Sequence, residues 1–348
     1  MFIEFIKEMN NGHRRTATGK KINKKTIVFY ECVLKLLKEY EHQKEISIGF
    51  RFLLKQSIRI NTIEKKYWVK FYHLFSTFLY NKGYSDGYIG SIWKSIKTLV
   101  RWIIKEKALP IAPVYNWFTI TQTQYNPIIL SVPKLQFLIT DECYSKGLTE
   151  NLIRVKDIFL AGCTLGLRFS DLMGLQKNNL ITEEGQLYII LYTIKTGSYT
   201  KIPVPDYLST IFKTYRTNKG KFLLPQYSNA RFNILIKKLG EKVGWTEQLP
   251  KYMSYKGKWK EQKKGGNKSW QYYDHLSSHT MRRTAITTLL VLGVPEHVVR
   301  KVSGHAPGSK EFYKYVLIAQ ELLNKEVQQA HKKLFQLNNT SKNETKNT

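Results

Sequence analysis

Residues 277–294 read SSHTMRRTAITTLLVLGV, and this stretch decides how the C-terminal half of the chain is interpreted. A serine before a helical pattern is a common N-cap, so we expect Ser278 to cap a helix from about His279 to Leu292. His279 and Arg282 then share one face of the first turn, near free backbone N–H groups and the positive end of the helix dipole. Such a position favours a phosphate. A solvated basic helix start explains this motif alone equally well.

A second arginine lies upstream in AGCTLGLRFSDLMGL, residues 161–175. Arg168 and Asp171 interrupt an apolar stretch whose pattern is helical. Because an unpaired buried charge is very costly, the arginine is expected to face a cleft or to pair with Asp171. If Arg168 and Arg282 meet, the two guanidinium groups can hold the non-bridging oxygens of one phosphodiester.

Two further motifs carry ionisable side chains. Residues 187–205, LYIILYTIKTGSYTKIPVP, are rich in β-branched and aromatic residues on both sides of Lys195, which predicts a hairpin with this lysine at its turn. Lys201 lies on the second strand of that hairpin. SGH ends at His305, and FYKYV follows at 312–316.

The composition indicates a partner of negative charge. The 348 residues include 56 Lys and Arg against 26 Asp and Glu, a net charge of +30. Nucleic acids are the commonest polyanions that use such a field, and anionic membranes come second. The sequence contains neither a transmembrane run nor a signal peptide. An odd number of widely spaced cysteines predicts reduced thiols in protein cores, no disulfide or zinc framework, and a cytoplasmic location: Cys32, Cys143 and Cys163.

Three helices are predicted in the first hundred residues. One begins near Thr26, and a second runs from about Thr62 to Asn81. The third has Ser85 as its predicted cap and the clearest apolar periodicity in the protein. Its predicted buried stripe consists of Ile89, Ile92, Trp93, Ile96, Leu99, Val100 and Ile103.

The chain as a whole is predicted to be mainly α with a small β-sheet (α+β). Residues 1–107 are expected to form a helical bundle with a basic exterior, which suits a DNA-binding role if the polyanion is DNA, and a proline-interrupted linker is expected to span 108–132. A mixed, mainly helical domain follows at 133–335, and the polar segment 336–348 is expected to be a disordered tail. The lysine-rich stretch 251–270 has no period, which predicts a basic loop or a β insertion.

Six positions occur in the order typical of the tyrosine recombinase (phage integrase) family, which the chain resembles: Arg168, Lys195, His279, Arg282, His305 and a tyrosine after them. The resemblance covers roughly residues 130–330, and the helices before it resemble the core-binding (SAM-like) domain of the family. The wording around the motifs is most similar to integrases of Bacteroidetes mobile elements. This resemblance implies a two-domain recombinase fold.

The resemblance also implies a role for each position. In the family, a tyrosine attacks the scissile phosphate to form a 3′-phosphotyrosine, and the hairpin lysine, here Lys195, protonates the departing 5′-oxygen; Lys201 is the alternative. Arg168 and Arg282 would hold the phosphate. His279 would assist proton transfer, and His305 would donate a hydrogen bond to the phosphate. No metal ion or other cofactor is implied, since the arginines and the lysine supply the positive charge.

The nucleophile lies one residue away from the usual position. Family spacing places it nine residues after the second histidine, which here is Lys314, and Tyr313 and Tyr315 flank that lysine. We favour Tyr315, because the nucleophile in the family is typically followed by an aliphatic residue, here Val316. Tyr313 stays open as the alternative.

The implied function is site-specific recombination, with integration and excision of a mobile element in the bacterial nucleoid as the expected role. The expected partners are double-stranded DNA, three further copies of the chain in a homotetramer on two DNA sites, and host DNA-bending accessory proteins, with no membrane. Two alternatives stay open. A type IB topoisomerase or telomere resolvase would use the same tyrosine without strand exchange, and a non-catalytic relative would bind DNA without any covalent adduct.

Overall fold

The computed structural model describes residues 1–16, 18–52, 58–120, 128–140, 147–194, 197–217, 219–265 and 268–344. The chain divides into two compact units, one formed by Met1–Tyr125 with Lys251–Lys263 and one by Asn126–Pro250 with Lys264–Thr348. Helices predominate and the sheets are small and antiparallel, which confirms the predicted mainly α class. Within the described ranges, no helix is both long enough and apolar enough to cross a bilayer.

The first unit is a bundle of four helices: α1 (Phe2–Asn10), α2 (Lys24–Lys44), α3 (Ile58–Asn81) and α4 (Asp86–Lys105). The α4 prediction is confirmed, because the whole apolar stripe is buried and the Ser85 hydroxyl accepts from the N–H of Tyr88 at 3.4 Å. Helix α1 was not predicted. It buries Phe5 completely, and its Glu8 accepts from the indole N–H of Trp102 at 3.0 Å.

Part of the predicted linker belongs to the core of the first unit. Ile111, Ala112, Val114 and Phe118 are buried there. The phenol of Tyr72 on α3 also donates to the carbonyl of Thr119 at 3.1 Å. The proline-containing segment therefore packs on the bundle as far as residue 119, because removing its apolar side chains from water lowers the free energy.

The lysine-rich stretch forms an antiparallel hairpin of β4 (Lys251–Tyr255) and β5 (Lys258–Gln262), in which Tyr255 pairs with Lys258. Lys256 and Gly257 form its turn with φ of 52° and 75°. Both values lie in the left-handed region that two-residue hairpin turns require. Although it follows residue 250 in the chain, this hairpin belongs to the first unit.

The second unit contains the remaining elements. Its helices are α5 (Val132–Thr140), α6 (Glu150–Leu165), α7 (Phe169–Met173), α8 (Asp206–Arg216), α9 (Asn229–Lys242), α10 (Ser278–Val291), α11 (Glu296–Ser303) and α12 (Lys310–Glu344). Strands β1 (Leu180–Glu183), β2 (Gln186–Tyr192) and β3 (Tyr199–Pro203) form a sheet in that order, and Ile189 of the central strand pairs with Leu180 and with Ile202. The predicted hairpin is thus present, with β1 as an unpredicted third strand.

Helices α6 and α10 cross at close range in the core of the second unit. A Cβ atom added to Gly162 would lie 2.4 Å from Sδ and 2.9 Å from Cβ of Met281. Gly166, which ends α6 with φ of +64°, faces the Cβ of Ala285 in the same way at 3.3 Å. The two glycines therefore permit an approach that places the end of α6 beside the first turns of α10.

Several local predictions need correction. The apolar stretch around Arg168 is two helices, because Gly166 adopts a left-handed conformation that ends the first. Ser277, not Ser278, is the N-cap of α10, and its N–H donates to the hydroxyl of Thr280 at 3.0 Å. The segment predicted as a disordered tail continues α12 as far as Glu344, and 345–348 lie outside the described residues.

The prediction that the cysteines lie in protein cores can be compared with the structure at two positions, and it is correct at one of them. Cys163 is buried, whereas Cys32 is exposed on α2. Cys143 lies outside the described residues.

Gly162→Ala tests the close crossing of α6 and α10. We expect a net loss of about 1–2 kcal/mol in the free energy of unfolding, because overpacking costs about 1–3 kcal/mol and the helix propensity of alanine returns up to about 1 kcal/mol. Urea unfolding measures this, with Gly49→Ala as control, since nothing lies within 4 Å of a Cβ there. Equal stability of Gly162→Ala and wild type would show that the helices do not require glycine.

Candidate functional site

Arg282 lies at the centre of the candidate site, on α10 of the second unit. It is only 5% exposed, and its guanidinium donates to two main-chain carbonyls, that of Gly166 at 2.8 Å and that of Ser303 at 2.5 Å. Burial lowers the pKa of Arg282 to about 10, and the nearby charge of Arg168 acts in the same direction. The group still carries its charge at neutral pH, and the end of α6 and the end of α11 fix its orientation.

Arg168 is the second cation of the site and the N-cap of α7. Its Nη1 lies 4.0 Å from Oδ2 of Asp171, beyond hydrogen-bond distance. Within the described part of the chain, neither of these two buried atoms has a hydrogen-bond partner. A buried N–H group without an acceptor is unfavourable by itself, but it is available to bind an anion.

Asp171 connects Arg168 to the β2–β3 hairpin. Its Oδ1 accepts from the N–H of Ile194 at 2.9 Å, and the residue is only 2% exposed. One residue before Ile194, the N–H of Thr193 donates to the carbonyl of Ser198 at 3.0 Å, which joins the two sides of the hairpin. Lys195 itself lies outside the described residues. Asp171 is therefore a buried acid that holds the end of strand β2 through the N–H of Ile194.

Lys201, the alternative to Lys195, is engaged elsewhere. It lies on β3 between the buried residues Thr200 and Ile202, and its amine forms an ion pair with Glu183 at 2.5 Å. The hydrogen bond with Glu183 raises the pKa of the Lys201 amine. The amine of Lys201 is therefore bound to Glu183 of β1.

His305 contacts Arg282 directly. Its ring nitrogens lie 3.4 Å and 3.3 Å from Nη2 of Arg282, and Nδ1 lies 2.8 Å from the hydroxyl of Ser303. Burial, with the charges of Arg282 and Arg168 acting in the same direction, lowers the pKa of His305 to about 4. The imidazole is consequently neutral at physiological pH and retains one N–H donor.

The two candidate tyrosines differ in their surroundings. The ring of Tyr315 is partly buried with Ile286, Val299 and Phe312, and its centroid lies 5.9 Å from that of His305. Its phenol is also close enough to interact electrostatically with Arg282. Tyr313, by contrast, is 52% exposed. The structure thus brings Tyr315, and not Tyr313, to the arginine and histidine.

His279 occupies the exposed start of α10, three residues before Arg282. The expected i, i+3 relation is present in sequence, but the two side chains differ in environment, because Arg282 is drawn into the core by its carbonyl partners. Of the six predicted positions, four come together through direct or electrostatic contacts: Arg168, Arg282, His305 and Tyr315.

Two contributors were not predicted, the carbonyls of Gly166 and Ser303. Both residues were inside quoted motifs, TLGLR and SGH. Every residue has a carbonyl, however, so no side-chain pattern shows which ones bind a guanidinium. The signal that was available is the glycine after each helix, because Gly166 and Gly304 both end a helix with positive φ.

Comparisons with known proteins show the family of the chain. The model of the phage integrase family matches residues 139–321, which is more than half of the chain. The chain therefore belongs to the phage integrase family. No curated protein sequence matches it significantly.

Three solved structures show the fold. XerH site-specific recombinase bound to palindromic difH substrate, in its post-cleavage complex, has a TM-score of 0.57 at 14% identity, over 87% of this chain and 79% of that one. The Tn1549 transposon integrase in complex with circular intermediate DNA has a TM-score of 0.53 at 17% identity, over 90% of this chain and 93% of that one. A lambda integrase tetramer bound to a Holliday junction has a TM-score of 0.56 at 12% identity, over 90% of this chain and 76% of that one. The chain thus has the tyrosine recombinase fold, and the resemblance to Bacteroidetes integrases stays a prediction.

The depressed pKa of His305 predicts a pH dependence of stability. An unfolded histidine titrates near pH 6.5, whereas the folded pKa is about 4. Between these values the unfolded chain binds more protons, so stability is lost as pH falls from 6.5 towards 4. Wild type should lose about 1–2 kcal/mol more than His305→Asn between about pH 7 and about pH 5.

Urea unfolding of both proteins at the two pH values measures this difference. Other groups titrate in both proteins and cancel in the comparison. An identical pH dependence for wild type and His305→Asn would contradict a buried, neutral imidazole.

Proposed function

We propose that this protein is a site-specific DNA recombinase that cuts and rejoins duplex DNA through a 3′-phosphotyrosine on Tyr315. The observation that carries the proposal is the position of this phenol beside His305 and the buried guanidinium of Arg282. These are the groups that a phosphoryl transfer to a phenol requires, since there is a nucleophile, a fixed cation for the phosphate and a neutral donor.

Arg168 and Arg282 bind the scissile phosphate in this proposal. Arg282 is already oriented by two carbonyls, and Arg168 has a buried N–H without a partner. Donors that are aligned before substrate binds stabilise the charge of the transition state without reorganisation. His305 adds a hydrogen bond from its neutral ring, because its pKa of about 4 keeps it unprotonated.

Proton transfer at both ends of the displacement completes the proposed chemistry. A tyrosine phenol is a weak nucleophile while protonated, and His279 at the exposed start of α10 is proposed to assist its deprotonation. Lys195 is proposed to protonate the departing 5′-oxygen. The choice of Lys195 over Lys201 is supported by the ion pair of Lys201 with Glu183 and by the bond from Ile194 to Asp171.

The phosphotyrosine bond conserves the energy of the phosphodiester bond, so a 5′-hydroxyl of another strand can reverse the step and join new partners without ATP. We propose that four copies act on two DNA sites. This is supported by the fold that the chain shares with a lambda integrase that was solved as a tetramer bound to a Holliday junction. The fold shared with the Tn1549 transposon integrase supports integration or excision of a mobile element. Host DNA-bending proteins are proposed as accessories in the bacterial nucleoid.

The helical first unit is proposed to contact the DNA backbone. Lys94, Lys97 and Arg101 on α4 follow one another at helical spacing, opposite to its buried stripe. Burial and the neighbouring charge of Arg101 lower the pKa of Lys97, so an anion at this face relieves the repulsion. Binding should therefore weaken steeply with salt.

Covalent trapping tests the proposed nucleophile. Wild type, Tyr315→Phe and Tyr313→Phe are incubated in EDTA with a nicked duplex that carries the DNA junction flanking the gene, and denaturing gels detect protein attached to DNA. We expect the adduct with wild type and with Tyr313→Phe. It should be absent with Tyr315→Phe, because phenylalanine lacks the attacking oxygen.

Loss of the adduct only in Tyr313→Phe would keep the chemistry and refute Tyr315 as nucleophile. Absence of an adduct in all three proteins, on DNA that they demonstrably bind, would instead favour a non-catalytic relative. Adducts without recombinant products between two junction duplexes would indicate a topoisomerase or telomere resolvase.

A further inference from the structure

The β4–β5 hairpin is held on the helices of the first unit by the buried carboxylate of Asp86, at the start of α4. Oδ1 accepts from the backbone N–H of Lys256 at 2.9 Å and from the phenol of Tyr80 at 2.6 Å. Oδ2 accepts from the N–H of Gly257 at 3.0 Å and from the hydroxyl of Ser254. The carboxylate is therefore enclosed by four donors, three of which come from the hairpin.

The turn forms a concavity for this anion. Consecutive N–H groups of a turn can converge on one anion, and Lys256 and Gly257 do so on Asp86. Burial by itself would raise the pKa of the Asp86 carboxyl, but its hydrogen bonds from Ser254, Tyr80 and the turn bring it below its usual range. At 1% exposure, the side chain remains ionised because its four donors satisfy it.

Aromatic contacts strengthen the attachment. Tyr255 donates through its phenol to the carbonyl of Tyr80 at 3.0 Å, and the two rings meet edge to face at 5.2 Å. Lys256 accepts a φ of 52°, which is uncommon for a residue with a side chain. The β4–β5 hairpin is consequently a fixed part of the first unit and not an irregular loop.

The hairpin presents its positive charge in an ordered way. Residues 251–263 contain five lysines and one acid, Glu261. By register, Lys258 and Lys260 lie on the same face as their partners Tyr255 and Met253, whereas Glu261 lies on the other face. Both lysines are exposed, and in the described parts of the chain neither forms an ion pair.

We propose that this hairpin is a DNA-contacting element in which Lys258 and Lys260 bind backbone phosphates, and that Asp86 fixes it on the first unit. The inference rests on the proposed function for the identity of the partner as duplex DNA. Alternate residues of a strand lie about 6.8 Å apart, so each ammonium can reach a separate phosphate. Because the hairpin is fixed, its lysines lose less entropy on binding than those of a mobile loop.

Salt dependence of DNA binding tests the contact, and it requires only a duplex of mixed sequence, because phosphate contacts do not depend on sequence. The slope of log K against log salt is compared for wild type and Lys258→Gln/Lys260→Gln. Loss of two phosphate contacts should reduce the slope by about 2. Both substitutions are at exposed positions, so the fold is retained.

The control is Lys82→Gln/Lys107→Gln, which removes the same charge from the same unit. Lys82 is paired with Glu39, and Lys107 with Glu4 and Glu8 at 2.6 Å and 2.8 Å, so these lysines have acids as partners already. We expect the control slope to stay close to that of wild type. An unchanged slope in the hairpin variant, or an equal reduction in both variants, would overturn the contact.

Asp86→Asn tests the attachment. An amide cannot accept four hydrogen bonds, so the hairpin should detach and the slope should fall as in the lysine variant although both lysines remain. A wild-type slope in folded Asp86→Asn would overturn the role of this carboxylate. If Asp86→Asn does not fold, Ser254→Ala removes one of the four bonds without a change of charge, and its slope is read in the same way.

The salt slope is also independent of the catalytic proposal. Wild type that binds the duplex but forms no covalent adduct would refute the catalytic proposal and leave the hairpin testable. Wild type that forms the adduct, together with an unchanged slope in the hairpin variant, would refute only the hairpin contact.

Discussion

The two hydrogen bonds from Arg282 to the carbonyls of Gly166 and Ser303 are the constraint on which the site depends. Each carbonyl belongs to the end of a helix, where the last C=O groups have no partner inside the helix. The guanidinium supplies partners for both, and thereby fixes α6 and α11 to the first turns of α10. The same two bonds orient the guanidinium, so they determine both the packing of the helix ends and the position of the positive charge.

This arrangement places like charges close together at an energetic cost. The charge of Arg168 adds to burial in lowering the pKa of Arg282, and Nη1 of Arg168 and Oδ2 of Asp171 have no hydrogen-bond partner in the described part of the chain. An unsatisfied buried polar atom costs about 1–3 kcal/mol. A phosphate between the arginines would satisfy the donor, and the imidazole of His305 adds no third charge because its pKa is low. The site is therefore most stable when it is occupied by an anion.

The sequence predicted side-chain patterns better than main-chain partners. The α4 stripe from Ile89 to Ile103 follows from helical periodicity, since the burial of one face depends only on the spacing of apolar residues. The order of the motif residues likewise predicted the family. Three features were not predictable: the carbonyl partners of Arg282, the end of α6 at Gly166 and the turn whose N–H groups bind Asp86. They depend on how the backbone is arranged in the folded chain, which side-chain patterns do not reveal.

Each of the two units uses a buried charge with backbone partners for a different purpose. In the first unit the carboxylate of Asp86 holds a hairpin, and in the second the guanidinium of Arg282 holds together the elements of the candidate site. Both charges have hydrogen-bond partners from the main chain, which is the condition under which buried ions are tolerated. The proposed chemistry thus depends on geometry that exists before DNA binds.

The most direct test of this account is the single-turnover rate of strand transfer in EDTA, measured for wild type and Arg282→Lys on the same junction duplex. A lysine keeps the charge but lacks the planar fork of N–H donors with which an arginine can bind two carbonyls and a phosphate from separate nitrogens. The account predicts transfer by wild type without metal or ATP, and a rate at least about 100-fold lower for Arg282→Lys at undiminished DNA binding. Equal rates for the two proteins would contradict it.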